Sequence, residues 1–118
     1  MAMKRQSIFE NSAIGAGQTI GPVAVQISDY RVNGFFSLDL KVTSGSVKIY
    51  YKASNKAGEA AAPVAGGGVI VSGHSSTEGE NGRQAYAANI GAFRMVEIYA
   101  EALNDAAAEI EHCELNMV

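Results

Sequence analysis

Two histidines and a lone cysteine are the side chains best suited to chemistry in this sequence, and their spacing argues against it. His112 and Cys113 are adjacent. Neighbours on a strand point to opposite faces and neighbours on a helix diverge, so the pair is badly placed to close on one metal ion. His74 lies far away in a polar, turn-rich stretch. Zinc takes four clustered Cys or His ligands, or three and a water, and a cysteine nucleophile needs its base within hydrogen-bond reach. The sequence signals neither grouping, and Cys113 reads as a small buried apolar residue.

The other chemical candidates weaken in the same way. Gly66, Gly67 and Gly68 lack the Lys-Ser/Thr that completes a phosphate-cradling loop, and no GxGxxG occurs, so they read as backbone freedom. Glu97, Glu101, Glu109, Glu111 and Glu114 would approach one another if the last two strands paired. Acid pairs hydrolyse glycosides or hold calcium, but these alternate with apolar residues and read as a wetted sheet face. Tyr50, Tyr51, Tyr86 and Tyr99 raise sugar stacking. Tyr51 falls on the core-facing parity and Tyr50 on the outer one, where a lone ring is more often packed under a loop or a subunit. The expectation is a protein that is not an enzyme, with no catalytic, cofactor-binding or metal-binding residue and no cofactor.

The elements that would position these residues are strands. Residues 34–54 contain two alternating runs hinged on Ser44 and Gly45. As a two-residue β-hairpin they would pair Val42 with Val47, Leu40 with Ile49, Leu38 with Tyr51 and Phe36 with Ala53, one continuous apolar face, leaving Ser37, Asp39, Lys41, Lys48 and Lys52 outward. Upstream, residues 18–27 put Val23, Val25 and Ile27 on one face, with Pro22 marking a strand start or an edge. Residues 28–33 are a connection and residues 55–68 a loop rich in small side chains. Residues 69–72 are β-prone, residues 73–84 a turn-rich loop with Asn81-Gly82 as its strongest turn signal, and residues 85–89 a further strand. Residues 94–102 alternate with Val96, Ile98 and Ala100 inward.

Residues 103–117 are the ambiguous stretch. Leu103, Ala106, Ala107, Ile110, Cys113 and Met117 also fall at helical spacing, but the preceding strand, turn, strand rhythm favours a strand with a phase slip, hence a bulge, near His112. Residues 1–17 are polar and glycine-punctuated, with Ile8, Phe9 and Ile14 as apolar anchors, and read as an extended N-terminal arm whose Ile8 and Phe9 dock on a neighbouring subunit. The expected architecture is all-β: an antiparallel, jelly-roll-like β-sandwich over residues 18–118, preceded by the arm.

Composition narrows the function. A chain of 118 residues can bury a real core as one domain. At 47% hydrophobic and 18% charged it is apolar for its size, which points to surface covered by copies of itself or by partners. A net charge of −3 gives no basic footprint, so direct nucleic-acid binding is disfavoured. No apolar run reaches the roughly 20 residues of a membrane-spanning helix. A single cysteine and an N-terminus without a long apolar segment fit synthesis in a reducing cytoplasm.

The run FSLDLKVTSGSVKIYYKAS, the loop ending in PVAGGG, the turn-rich SGHSSTEGENG and the closing FRMVEIYAEA together resemble the small β-sandwich virion proteins of tailed bacteriophages and prophages, especially head-decoration (cement) proteins. The resemblance spans residues 18–118 as a rhythm of elements and transfers no residue role. It implies a structural protein made in the host cytoplasm and located in the virion, a decoration protein that binds the assembled head as a homo-oligomer through the major capsid protein or another virion protein. A tail or neck component and a small carbohydrate-binding module are the alternatives.

Overall fold

The computed structural model describes residues 5–27, 35–56 and 58–117. Among these residues nine strands follow one another: β1 (Arg5–Ile14), β2 (Thr19–Gln26), β3 (Phe36–Ser44), β4 (Ser46–Ser54), β5 (Ala62–Pro63), β6 (Val69–Ser75), β7 (Arg83–Ala88), β8 (Met95–Ala102) and β9 (Ala108–Met117). They form two antiparallel sheets. One has the order β1-β9-β3-β7, the other β2-β8-β4-β5, with β6 also paired to β4. Leaving the two-residue β5 aside, the first strand pairs with the last, β2 with β8, β3 with β7 and β4 with β6. That nesting is a long antiparallel ribbon rolled up on itself, the jelly-roll arrangement of a β-sandwich.

The alternation in residues 36–54 is as expected, but the pairing is not. Phe36, Leu38, Leu40 and Val42 on β3, and Val47, Ile49, Tyr51 and Ala53 on β4, are all buried. Yet β3 and β4 do not form a hairpin. A strand has two hydrogen-bonding edges, and those of β3 are taken by β9 and β7, those of β4 by β8 and by β6 with β5. The two apolar faces therefore meet across the core instead of side by side in one sheet. The crossing is made at Gly45, the single residue between the strands. At φ +71° it turns the chain from one sheet to the other, and a Cβ there would run into the Ala107 carbonyl and lie 2.9 Å from Ala108 Cα. The corner is held by Ser76 N–H donating to Gly45 O and Leu103 N–H donating to Ser46 O, both at 3.0 Å.

The N-terminal segment also differs from expectation. Within it, β1 pairs with β9 from Arg5↔Asn116 to Ile14↔Ala108, and Ile8, Phe9 and Ile14 lie in the core of their own chain. Those apolar anchors are explained by a sheet edge of the same subunit rather than by a neighbour, and β1 is one of the strands of the sandwich. A register shift between Ser7 and Phe9 lets the adjacent Ile8 and Phe9 both turn inward. Residues 103–117 carry β9, a strand. Its inward residues change parity from Ala108 and Ile110 to Cys113 and Leu115, and on β3 the neighbours Lys41 and Val42 face His112 and Ile110, leaving Glu111 as the bulged residue beside His112.

On the other sheet β2 is an edge strand, with Pro22 at a register shift where a ladder donor is not needed. The expected connection over residues 28–33 lies outside the described residues. Both β6 and β7 are longer than expected and shorten the loop between them. Within that loop Glu80 and Arg83 exchange both backbone hydrogen bonds, at 2.9 and 3.0 Å, around Asn81 and Gly82, each with positive φ. That is the tight turn the dipeptide signals.

Candidate functional site

The residues singled out for chemistry are dispersed by the roll. His74 is on β6, not in a loop, and is fully buried. Its Nε2 lies 2.8 Å from the Gly82 carbonyl and its Nδ1 2.8 Å from the Tyr86 hydroxyl. A carbonyl only accepts, so Nε2 carries the hydrogen and Nδ1 accepts from the Tyr86 O–H. The same Gly82 carbonyl accepts from Val42 N–H at 2.9 Å. His74 thus fastens β6 of one sheet to the turn leading into β7 of the other. Its hydrogen-bonding capacity is spent on structure.

Cys113 is fully buried on β9, and burial, with a smaller contribution from the Asp39 charge, pushes its thiol up to about 12. A thiolate is out of reach at neutral pH, so the inert reading holds. His112, next in the chain, points to the opposite face, with Nε2 3.5 Å from Asp39 Oδ1. Asp39 also receives a two-pronged contact from Arg83, Nε to Oδ1 at 3.2 Å and Nη2 to Oδ2 at 2.8 Å. The Arg83 hydrogen bonds, assisted by Arg83's charge and by His112, hold the Asp39 carboxyl below its usual range against the opposing effect of partial burial. Lys41 Nζ to Glu111 at 3.0 Å extends the charge pairing on this face. Beside it lies an open depression of about 410 Å³ lined by Ser37, Asp39, Arg83, Gln84, Ala85 and Asn116 among others. Of its charged groups Asp39 and Arg83 are paired with each other, and Glu80 is the third lining charge.

The glutamates do not converge. Since β8 and β9 lie in different sheets, Glu97 and Glu101 are on the opposite outer surface from Glu109, Glu111 and Glu114. Among the described residues no group of three or more His, Cys, Asp or Glu is placed to hold a metal ion. A Cβ at Gly68 would run into the Tyr51 carbonyl, whereas one at Gly66 would meet nothing and one at Gly67 only Val69. No helix of the described residues is long and apolar enough to cross a membrane.

Tyrosines give the most organised surface. Tyr51 is buried with its hydroxyl 3.3 Å from the Asn89 carbonyl, and burial raises its pKa. Tyr50 faces outward directly opposite Tyr99, with centroids 5.1 Å apart and planes 10° from parallel. Lys48 Nζ lies over the Tyr50 ring at 5.4 Å and Lys52 Nζ over the Tyr99 ring at 5.3 Å. Each ring already has an aromatic and a cationic neighbour, unlike an open platform for a sugar. The cross-strand register then sets Lys48 against Glu101 and Lys52 against Glu97. Sequence reasoning found Tyr50 and missed its partner, because Tyr99 comes beside it only once β4 and β8 pair. The outward parity of both tyrosines was the available signal.

No family model, curated protein or solved structure matches the chain.

Proposed function

We propose that the chain is a structural protein of a tailed-bacteriophage virion, a decoration protein that binds the exterior of the assembled head as an oligomer. Its partners are copies of itself and the major capsid protein or another virion protein. The jelly roll alone does not decide this, since the same architecture serves capsid proteins, lectins and cupins. The sequence resemblance points to the virion, and one surface observation carries the reading.

That observation is the uneven dressing of the two ends of the sandwich. At the Gly45 end, the connections over residues 15–18, 76–82 and 103–107 expose Ala16, Ala106 and Ala107 beside the charged Glu78, Glu80 and Asp105, and no large apolar side chain. At the other end the chain exposes Phe35 to 68%, and the connection over residues 55–68 brings Ala60, Ala62, Pro63 and Ala65 to the surface with only Lys56 and Glu59 charged. A phenylalanine moved from water into a contact is worth roughly 2 kcal/mol, so an apolar end of this kind is suited to being covered. A broad protein surface such as a capsid shell fits it better than a small ligand does.

The test is cosedimentation of the purified chain with assembled heads that lack it. Wild type should pellet at a fixed ratio to the shell protein, and Phe35→Asp should bind at least tenfold more weakly, about 1.4 kcal/mol. Wild type left in the supernatant at about 10 μM, a concentration that reveals any contact of useful strength, overturns the reading.

A further inference from the structure

We infer that the outer face of β4 and β8 is a two-fold interface on which a second copy of this chain docks. This deepens the assembly reading and rests on it only for the reason that copies must meet.

The face is built in three rows across the strands. The central row is apolar and aromatic. Tyr50 and Tyr99 stack in it, Val69, 42% exposed, is paired beside Tyr50, and the Gly21-Pro22 shift lies beside Tyr99, a Cβ at Gly21 falling 3.4 Å from its Cδ1. The two flanking rows each carry one lysine on β4 and one glutamate on β8, Lys48 with Glu101 and Lys52 with Glu97. None of these four charges has an ion-pair partner among the described residues, and the lysines rest over the rings instead. An apolar centre containing tyrosines, rimmed by charge, is the usual anatomy of a protein interface.

The partner follows from the pattern. All the positive charge is on β4 and all the negative on β8. Rotating a copy by half a turn about an axis parallel to the strands and midway between them lays β4 of one copy over β8 of the other, level by level. Lys48 then stands over Glu101, Tyr50 over Tyr99 and Lys52 over Glu97, each twice. Val69 of one copy comes over the Gly21-Pro22 shift of the other. An axis across the strands would instead set Lys48 over Lys52 and Glu97 over Glu101, like charge on like. The face is therefore complementary to itself in one of the two orientations, as a two-fold contact requires. Twisted sheets pack with strands turned by roughly 30°, which displaces the flanking rows by roughly 3 to 4 Å, within the reach of lysine.

Sedimentation velocity on the full chain tests this with matched charge reversals. Wild type should dimerise with concentration. Lys48→Glu with Lys52→Glu, and separately Glu97→Lys with Glu101→Lys, should each weaken the dimer at least tenfold while keeping the wild-type urea transition. Mixed one to one, the two variants should recover a mixed dimer, and the chain carrying all four reversals should dimerise again. A wild type that stays monomeric at about 100 μM overturns the inference, as does a mixture of folded variants that recovers nothing. If the wild type is monomeric and the reversals abolish head binding, the face belongs to the shell protein and the second copy is ruled out. A dimer that ignores heads sinks the virion reading alone; head binding by a strict monomer sinks the two-fold contact alone.

Discussion

Tyr50 and Tyr99 stand directly opposite each other on β4 and β8 with their rings 5.1 Å apart and 10° from parallel, so two residues far apart in sequence form one aromatic unit on the surface. A cross-strand aromatic pair of this kind contributes roughly 0.5 to 1 kcal/mol beyond the area it covers. A double-mutant cycle with Tyr50→Ala and Tyr99→Ala, read from urea transitions at low protein concentration, should return a coupling of about that size. Strict additivity would mean the rings do not support each other.

Leu40 and Lys41 test which side of β3 is the core. Leu40 is fully buried, whereas Lys41 lies on the outer face in a pair with Glu111. Leu40→Ala should destabilise by about 2 to 5 kcal/mol and Lys41→Ala by no more than about 1. Similar unfolding midpoints for the two would contradict the assignment of faces.

The same strand shows how far the sequence can be read. Its period of two identified which residues of β3 and β4 face inward, because burial of alternate side chains is a local demand that any partner satisfies. The partner itself was not legible. Ser44-Gly45 carries the glycine of a tight hairpin, and nothing local distinguishes a turn that returns the chain beside itself from one that sends it to the opposite sheet. That choice depends on β7 and β9 occupying both edges of β3. The N-terminal segment failed for a related reason: Ile8 and Phe9 break the alternation at a register shift, so a strand looked like an arm with two anchors. For His74, polar neighbours in sequence suggested a wet loop, and only its distant partners Gly82 and Tyr86 account for its burial.

Gly45 therefore offers a sharp test of the crossing. Alanine there would need a positive φ and would meet the Ala107 carbonyl. Gly45→Ala should cost at least about 2 kcal/mol in a thermal or urea melt, whereas Gly58→Ala, with positive φ but open space around it, should cost about 1. Equal effects would mean that the close approach of the corner to residues 107 and 108 is not real.

His74→Phe should be destabilising by at least about 2 kcal/mol despite keeping an aromatic ring, since it takes the 2.8 Å partner from the Tyr86 hydroxyl, leaving it only Gln84 Oε1 at 3.4 Å, and removes a donor from the buried Gly82 carbonyl. Hydrogen exchange should show the loss concentrated in residues 76–83. Unchanged protection there would argue that the histidine only fills space.

Asp39 gives the pH dependence a sign. Its carboxyl is held below the ordinary value in the folded protein, chiefly by the Arg83 hydrogen bonds, so the stability it contributes is complete above about pH 3.9, the unfolded value, and is lost as pH falls through the lower folded value. Asp39→Asn should be less stable than wild type at pH 7, by no more than about 1 kcal/mol for so exposed an arginine partner, and the gap should close under more acid conditions. A gap that stays constant from neutral to strongly acid pH would exclude the charge pairing as its source.

The proposed binding to an assembled shell must also stabilise the shell, because a ligand that prefers the intact state shifts its melting by mass action. Calorimetry of empty heads with increasing amounts of the chain is the most direct measurement. The melting temperature of the heads should rise with the logarithm of free protein concentration once the sites begin to fill, and an unchanged melting temperature at saturating protein would contradict the account.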